Sequence, residues 1–515
     1  MKIIKNKRSI VISSLIVTIA TFSIKVLGMI KQSVIASVCG ANIETDAFFV
    51  ATGIIGQLAV VLFSAISITL LSMYTREREK NSEIEANRLL TATLIVFLPI
   101  SVALSIVFFL LSNRMAVFMG ASYNEDQLIY LIHYLKIMSF SYIPWCIYLT
   151  LNVSLEANNS FLPGKGQGLF QNLFLICGAV FLYPIFGMDV LVYAFLLSGI
   201  SECILLILCG RKYYKPQVSI EKVQMVIKQL LPLAIPLILG NAIYEVNDIV
   251  DKQISLSLGS GMASLLTYGS TLNEIVTGVI VASVATVLFA NFANWAAKNE
   301  MEKISKNVKL SIEYLSLLII PIMVMCIICG DQIVRILYGR GSFGEPQIRI
   351  TYYVVIGYAI GFIFQSIRAV LVKVFYAFQD TKTPMINGMI SVGINIVLSI
   401  ILAKFIGVMG IALATSIGMI IVTGALLFDV KKHLPLFSVK GCFIECFKDI
   451  ISGIIAAIIV LLIKKYLNIN VYSDFIIEGL VCIILYIFVL VLMKSKSLEG
   501  VYMLLIKRHG DDNGK

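Results

Sequence analysis

The chain has 515 residues, of which 59% are apolar and only 14% charged, with a mean hydropathy of +0.93. A soluble fold of this size carries about 25% charged residues, so this chain must use lipid as part of its solvent, which excludes soluble enzymes, nucleic-acid binders and disordered proteins. The 41 Lys and Arg against 30 Asp and Glu leave a net charge of +11, which in a membrane protein is first an orientation signal.

A spanning helix needs roughly 20 apolar residues. Fourteen segments meet that requirement, at 10–38, 45–73, 88–112, 128–155, 166–186, 189–210, 226–257, 262–292, 307–329, 350–377, 384–404, 407–428, 449–467 and 473–493. The loops between them are too short to house a soluble domain. The first segment is not read as a removable signal peptide, because its apolar run is long and carries Lys25 and Lys31. Those two lysines, with Gln32 seven residues from Lys25 on the same face, lie at membrane depth, where a charge needs a reason. Two ammonium groups there suit an anionic ligand such as a phosphate, while snorkelling to the interface is the plainer role for Lys31. Segment 2 opens with Glu44-Thr-Asp46, where Asp46 serves either as a helix cap or as a gate contact for a segment 1 lysine.

Segment 7 is the most heavily loaded, with Asn241, Glu245, Asn247, Asp248, Asp251 and Lys252 in one apolar run that also holds Pro232 and Pro236. Glu245, Asp248 and Lys252 share a face by steps of three and four, so the run is either a satisfied ion network or a site for a coupling cation or proton. Segment 8 carries Asn273 and Glu274, and segment 10 carries Arg368 and Lys373. Cys326-x-x-Cys329 stands among apolar residues and reads as packing rather than a metal or redox pair. The three histidines, His133, His433 and His509, are scattered, so no catalytic set, metal cluster or phosphate loop can be assembled.

With the N-terminus inside, 28 Lys and Arg fall in inner loops and tails against seven outside, which places both termini in the cytoplasm. Asn158-Asn-Ser-Phe-Leu-Pro163 and Gln379-Asp-Thr-Lys-Thr-Pro384 follow segments 4 and 10, six helices apart. That spacing fits two six-helix halves, residues 1–215 and 216–430, followed by a two-helix tail and cytoplasmic end, 431–515. The expected fold is therefore an all-α polytopic membrane protein with two six-helix lobes around a central cavity.

Several stretches resemble one family. Lys25-Val-Leu-Gly-Met-Ile-Lys31, Thr45-Asp-Ala-Phe-Phe-Val-Ala51, Ile249-Val-Asp-Lys252, Val334-Arg-Ile-Leu-Tyr-Gly-Arg-Gly-Ser-Phe343 and Val374-Phe-Tyr-Ala-Phe-Gln-Asp-Thr-Lys-Thr-Pro384 are similar in order and spacing to the MurJ/MviN lipid II flippases. The resemblance implies export of an undecaprenyl-diphosphate-linked peptidoglycan precursor by alternating access, with a lipid groove formed by the two-helix tail. It matches Lys25 and Lys31 to two helix 1 arginines that hold the diphosphate, and Asp46 to the acidic residue opening helix 2. It also exposes two departures: Val60 and Thr271 stand near positions where the family carries cations on helices 2 and 8, and Arg368 or Lys252 are the available replacements. Asp251, Asn395 and Thr415 match three positions of a sodium site found in some relatives, but Ser399 stands where a second carboxylate belongs.

The resulting expectation is a flippase of the bacterial cytoplasmic membrane with a lipid-linked glycan as substrate, membrane lipids as surroundings, and no enzyme activity, cofactor, metal or nucleic-acid partner. Lys25, Lys31 and Arg368 are expected to bind diphosphate, Asp46 and Glu274 to line the gate or cavity, and Asp251, Asn395 and Thr415 to be the residues of any sodium site. The alternatives are an exporter of another lipid-linked oligosaccharide, such as a capsule or O-unit, and a non-transporting scaffold descended from a flippase.

Overall fold

Short polar side chains start the helices. Asn42 accepts the Thr45 N–H at 3.0 Å while the Thr45 hydroxyl accepts the Asn42 N–H at 2.8 Å, a reciprocal cap. Ser82 and Asn470 cap two further helices in the simpler one-way form. The computed structural model describes residues 2–120, 123, 125–281, 292–435, 437–466 and 469–500. Residues 282–291 of the eighth expected span and the end from 501 onward, with His509, lie outside the described residues.

The helices are α1 Lys2–Cys39, α2 Ile43–Lys80, α3 Glu83–Met119, α4 Glu125–Met138, α5 Tyr142–Ala157, α6 Gly166–Cys177, α7 Tyr183–Phe186, α8 Asp189–Gly210, α9 Ile220–Met225 and α10 Leu231–Ser257. They continue with α11 Met262–Ile275, α12 Met301–Ile328, α13 Gly330–Tyr338, α14 Glu345–Ala359, α15 Phe362–Ala377, α16 Lys382–Ile406, α17 Val408–Asp429, α18 Val439–Lys464 and α19 Val471–Leu492. No strand occurs among the described residues, as hydrocarbon demands of a chain that must satisfy its backbone within each segment.

Among the described residues ten helices are long and apolar enough to cross a membrane, and eleven if α14 and α15, bent by 41° at a short break, form one span. Two of the other three expected spans fail for visible reasons. Segment 4 is divided by a tight turn at Ser139–Ser141 into α4 and α5, and α10 carries Glu245, Asp248, Asp251 and Lys252. The third continues into the undescribed stretch after Val281. Wide π-type turns occur at Gly178–Leu182, Val226–Leu230 and Val276–Val281; such turns loosen the helical ladder locally.

The contacts divide the chain into two compact units. The first runs to Ser264 and includes Gly341–Phe343, and the second holds Leu265–Arg340 and everything from Gly344. This division falls later than the cut near 215 drawn from sequence, because α10 packs along α2. In the first unit, α9 is strapped to the ends of α2 and α3 by buried Lys222, whose Nζ lies 2.7 Å from Glu77 and 3.4 Å from Glu85. Lys222 and Asn81 both donate to the Glu77 carboxylate.

In the second unit, close helix approach rests on small residues. A side chain at Gly410 of α17 would strike the backbone of Leu402 in α16, and one at Gly357 of α14 would press on the Met409 carbonyl of α17. The tail helices are fastened to α12 and α13 by polar contacts, most of them buried. Glu478 accepts from Gln332 and from the Cys329 thiol, each at 3.1 Å, Lys464 reaches Asp331 at 2.6 Å, and Ser316 donates to Asp449. Cys326 and Cys329 are both free and buried.

The two similar loops fold alike. Asn159 (φ 58°) and Gln379 (φ 60°) both take the left-handed conformation after α5 and α15. The next residue in each, Ser160 or Asp380, donates its N–H five residues back, to Leu155 at 2.9 Å or Phe375 at 3.0 Å. Both are Schellman-type helix ends. Asp380 then accepts from the Thr383 N–H and hydroxyl and lies 3.0 Å from His433. Burial would raise its carboxyl, but these bonds hold it down at about 2.

Large apolar side chains cover the outside, among them Leu110, Phe181, Ile185, Phe405 and Leu492, each more than 60% exposed. An apolar surface of that kind is what lipid solvates.

Candidate functional site

Each candidate residue is positioned by its helix and that helix's neighbours. On α1, Gly28 turns toward α6, where Asn172 donates to the Ile24 carbonyl at 3.1 Å. Ile24 and Gly28 are half-buried there, while Lys25 is exposed. Gly28 therefore gives close approach to α6. Lys31 is half-buried, and the neighbouring Gln32 has a buried Oε1 with no hydrogen-bond partner among the described residues.

Asn42 rather than Asp46 caps α2. Asp46, fully buried, instead caps α11 from across the unit. Its carboxylate accepts the Gly261 N–H at 2.6 Å, the Ser264 N–H at 2.7 Å, the Ser264 hydroxyl at 2.6 Å and the Tyr123 hydroxyl at 3.2 Å. Four donors on one carboxylate form a clamp, strengthened by the positive end of the helix it faces. Gly261, Ser264 and Tyr123 carry no sequence signal of this role.

Beside that clamp, Gly341–Phe343 are seated on the end of α1. The Ser342 N–H donates to the Ser37 carbonyl at 2.8 Å, and its hydroxyl to the Val38 carbonyl at 3.1 Å. Gly341 has φ +59°, and any side chain on it would strike the Ser37 carbonyl oxygen.

The α2–α10 packing assembles the polar residues of segment 7. Lys252, with only 15% of its side chain exposed, forms an ion pair with Asp248 at 3.1 Å, and Gln57 of α2 also bonds Asp248. The ammonium lies against Gly53, the one residue type that leaves room for it there. Asp251 is buried and accepts from Asn247 at 3.2 Å. The side chain of Asn241 lies outside the described residues.

The remaining candidates belong to the second unit. Arg368 is half-buried, and its Nε has no hydrogen-bond partner among the described residues. Lys373 lies 5.9 Å from the Tyr376 ring centre. Glu274 is exposed on α11, whereas Thr271 is buried and bonded to the Thr267 carbonyl. Asn395 and Thr415 do meet, at 2.9 Å, and Ser399 bonds the other amide atom of Asn395 at 3.3 Å. The amide of Asn395 is thus engaged on both sides, and Asp251 belongs to the other unit. Among the described residues, no cluster of three or more His, Cys, Asp or Glu is arranged to hold a metal. The second unit also contains an apolar groove of about 500 Å³, with Ile312, Phe364, Leu427, Cys446 and Phe447 in its walls and Lys440 and Lys448 at its edge.

The sequence model of the family described as "Lipid II flippase MurJ" matches residues 35–481. A protein of Treponema pallidum (strain Nichols) described as "Probable lipid II flippase MurJ" is 23% identical over 445 residues, covering 83% of each chain. A solved structure described as "Lipid II flippase MurJ, inward closed conformation" aligns with a TM-score of 0.80 at 26% identity, covering 92% of this chain and 98% of that one. An inward-facing multidrug resistance MATE transporter of the MOP superfamily aligns with a TM-score of 0.68 at 12% identity, covering 82% and 98%, a likeness of fold alone.

Proposed function

Because this chain belongs to the MurJ family of lipid II flippases, we propose that it carries lipid II, the undecaprenyl-diphosphate-linked peptidoglycan precursor, across the bacterial cytoplasmic membrane by alternating access. The observation that carries the site assignment is an exposed ammonium, Lys25, inside an apolar span and two turns from a second, Lys31. A lysine at membrane depth is costly unless an anion meets it, and a diphosphate supplies that anion. The polyprenyl chain stays in lipid, which offers it no polar contact to desolvate.

Both termini lie in the cytoplasm on this reading, as the excess of basic residues in the inner loops supports. A negative-inside potential then drives the anionic headgroup outward, by about 2.3 kcal/mol per charge for each 100 mV. The proposed cycle is written without sodium: Asn395, Ser399 and Thr415 bond one another.

The test is rescue of a bacterium depleted of its own lipid II flippase. The wild-type chain restores growth, and the Lys25→Ala/Lys31→Ala chain, present at equal level in the membrane, does not. Failure of both chains despite good expression contradicts the reading. Val60 and Thr271, in place of two family cations, favour a second one, export of another lipid-linked oligosaccharide, and that failure would turn the case toward it.

A further inference from the structure

The α2–α10 face holds a cation that the account above leaves unused. Lys252 is the inner partner of an unequal ion pair: its side chain is 15% exposed, whereas that of Asp248 is 55% exposed. The two are one turn apart on α10, and Gln57 of α2 holds the same carboxylate. Its other amide atom, Oε1, is buried with no hydrogen-bond partner among the described residues. Lys252 can lie where it does because position 53 is glycine; a Cβ there would occupy the place of the ammonium.

Gly53, Gln57 and Val60 follow one another by steps of four and three, so they form one face of α2. Val60 is 48% exposed and stands near where the resemblance places the family's helix 2 cation, and seven residues of helix separate it from Gly53 by only about 10 Å.

We infer that Lys252 and Gln57 form an anion site, closed in this structure by Asp248, that takes the diphosphate of the lipid-linked substrate in place of the missing cation at Val60. The inference rests on the reading of the chain as a lipid II flippase.

The asymmetry of the pair sets the mechanism. Lys252 is walled in by α2 and needs an anion beside it, since an unpaired buried ammonium is costly. Asp248 faces outward and loses little when it turns away, because its carboxylate can be solvated. A diphosphate oxygen arriving at Lys252 therefore exchanges one counter-ion for another, and the Gln57 amide N–H, released from Asp248, becomes a second donor to the ligand. Glu245 lies one turn before Asp248 on the same face of α10. An anion can enter only after Asp248 moves, so Asp248 screens out weakly charged headgroups.

The test is binding of undecaprenyl diphosphate to the purified full-length chain in lipid nanodiscs. Lys252→Gln weakens binding by about tenfold or more, the value of a charge-assisted bond. Asp248→Asn, which removes the competing anion, tightens it several-fold. Val60→Arg added to Lys252→Gln returns affinity to near the wild-type value, because it restores a cation to the same face. Inorganic diphosphate competes only at far higher concentration, since it lacks the apolar chain.

Unchanged binding by Lys252→Gln overturns the inference while leaving the flippase reading intact. So does a loss that Asp248→Asn reproduces or that Val60→Arg fails to repair, for Lys252 is then a structural partner of Asp248. Equal affinity for inorganic and lipid diphosphate overturns the assignment to the lipid substrate. A folded wild-type chain that binds no undecaprenyl diphosphate overturns both the inference and the reading beneath it.

Discussion

Asp46→Ala lowers the thermal midpoint of the purified chain and abolishes rescue of flippase-depleted cells. The carboxylate is fully buried and accepts from two backbone N–H groups and two hydroxyls. Its removal leaves the Gly261 and Ser264 amides without an acceptor, where water cannot readily replace it. Each stranded donor costs about 1–3 kcal/mol, so the local loss is on the order of 3 kcal/mol or more. Asp46→Asn costs almost as much, because one oxygen becomes an NH₂ group among donors. A thermal midpoint equal to the wild type's in both variants contradicts the clamp.

Gly341→Val is the second severe change. The residue sits at φ +59°, a conformation that costs an ordinary side chain about 1–2 kcal/mol and a β-branched one more. Its Cβ would also meet the Ser37 carbonyl oxygen, which is backbone and cannot swing aside. Both bonds of Ser342 to the end of α1 are lost with the seat. Ser342→Ala removes only the 3.1 Å hydroxyl bond to Val38 and makes a mild control. Amide hydrogen exchange reads the difference: Ser342 becomes unprotected in Gly341→Val and stays protected in Ser342→Ala. Equal protection in the two variants removes the support for a seated loop.

Features that depend on neighbours along the chain were open to sequence reading. Apolar runs of membrane length mark helices wherever charge is sparse, and all but three of the expected spans meet that test in the structure. The Asp248–Lys252 pair follows from a spacing of four on a helix. Contacts between residues far apart in the chain were not legible. Nothing in Thr45-Asp-Ala shows that Asp46 caps a helix more than 200 residues later, and its position near a helix start favoured the local cap that Asn42 provides. The approach of α6 to Gly28, through Asn172, likewise has no local signal. Gly53 carried no signal, since its role appears only once the Lys252 ammonium lies on it. The division at 215 rested on the six-helix spacing of two similar loops, whereas packing of α10 along α2 places that helix in the first unit.

The central claim is movement of lipid II by this chain, with the two α1 lysines engaging its diphosphate. The most direct measurement places the purified chain in vesicles with fluorescently labelled lipid II and follows how much headgroup becomes accessible to a membrane-impermeant quencher. Wild type moves label between leaflets faster than protein-free vesicles do, and the Lys25→Ala/Lys31→Ala chain, equally reconstituted, does not. Wild-type vesicles that match protein-free ones contradict the function, and a double variant that matches wild type contradicts the site.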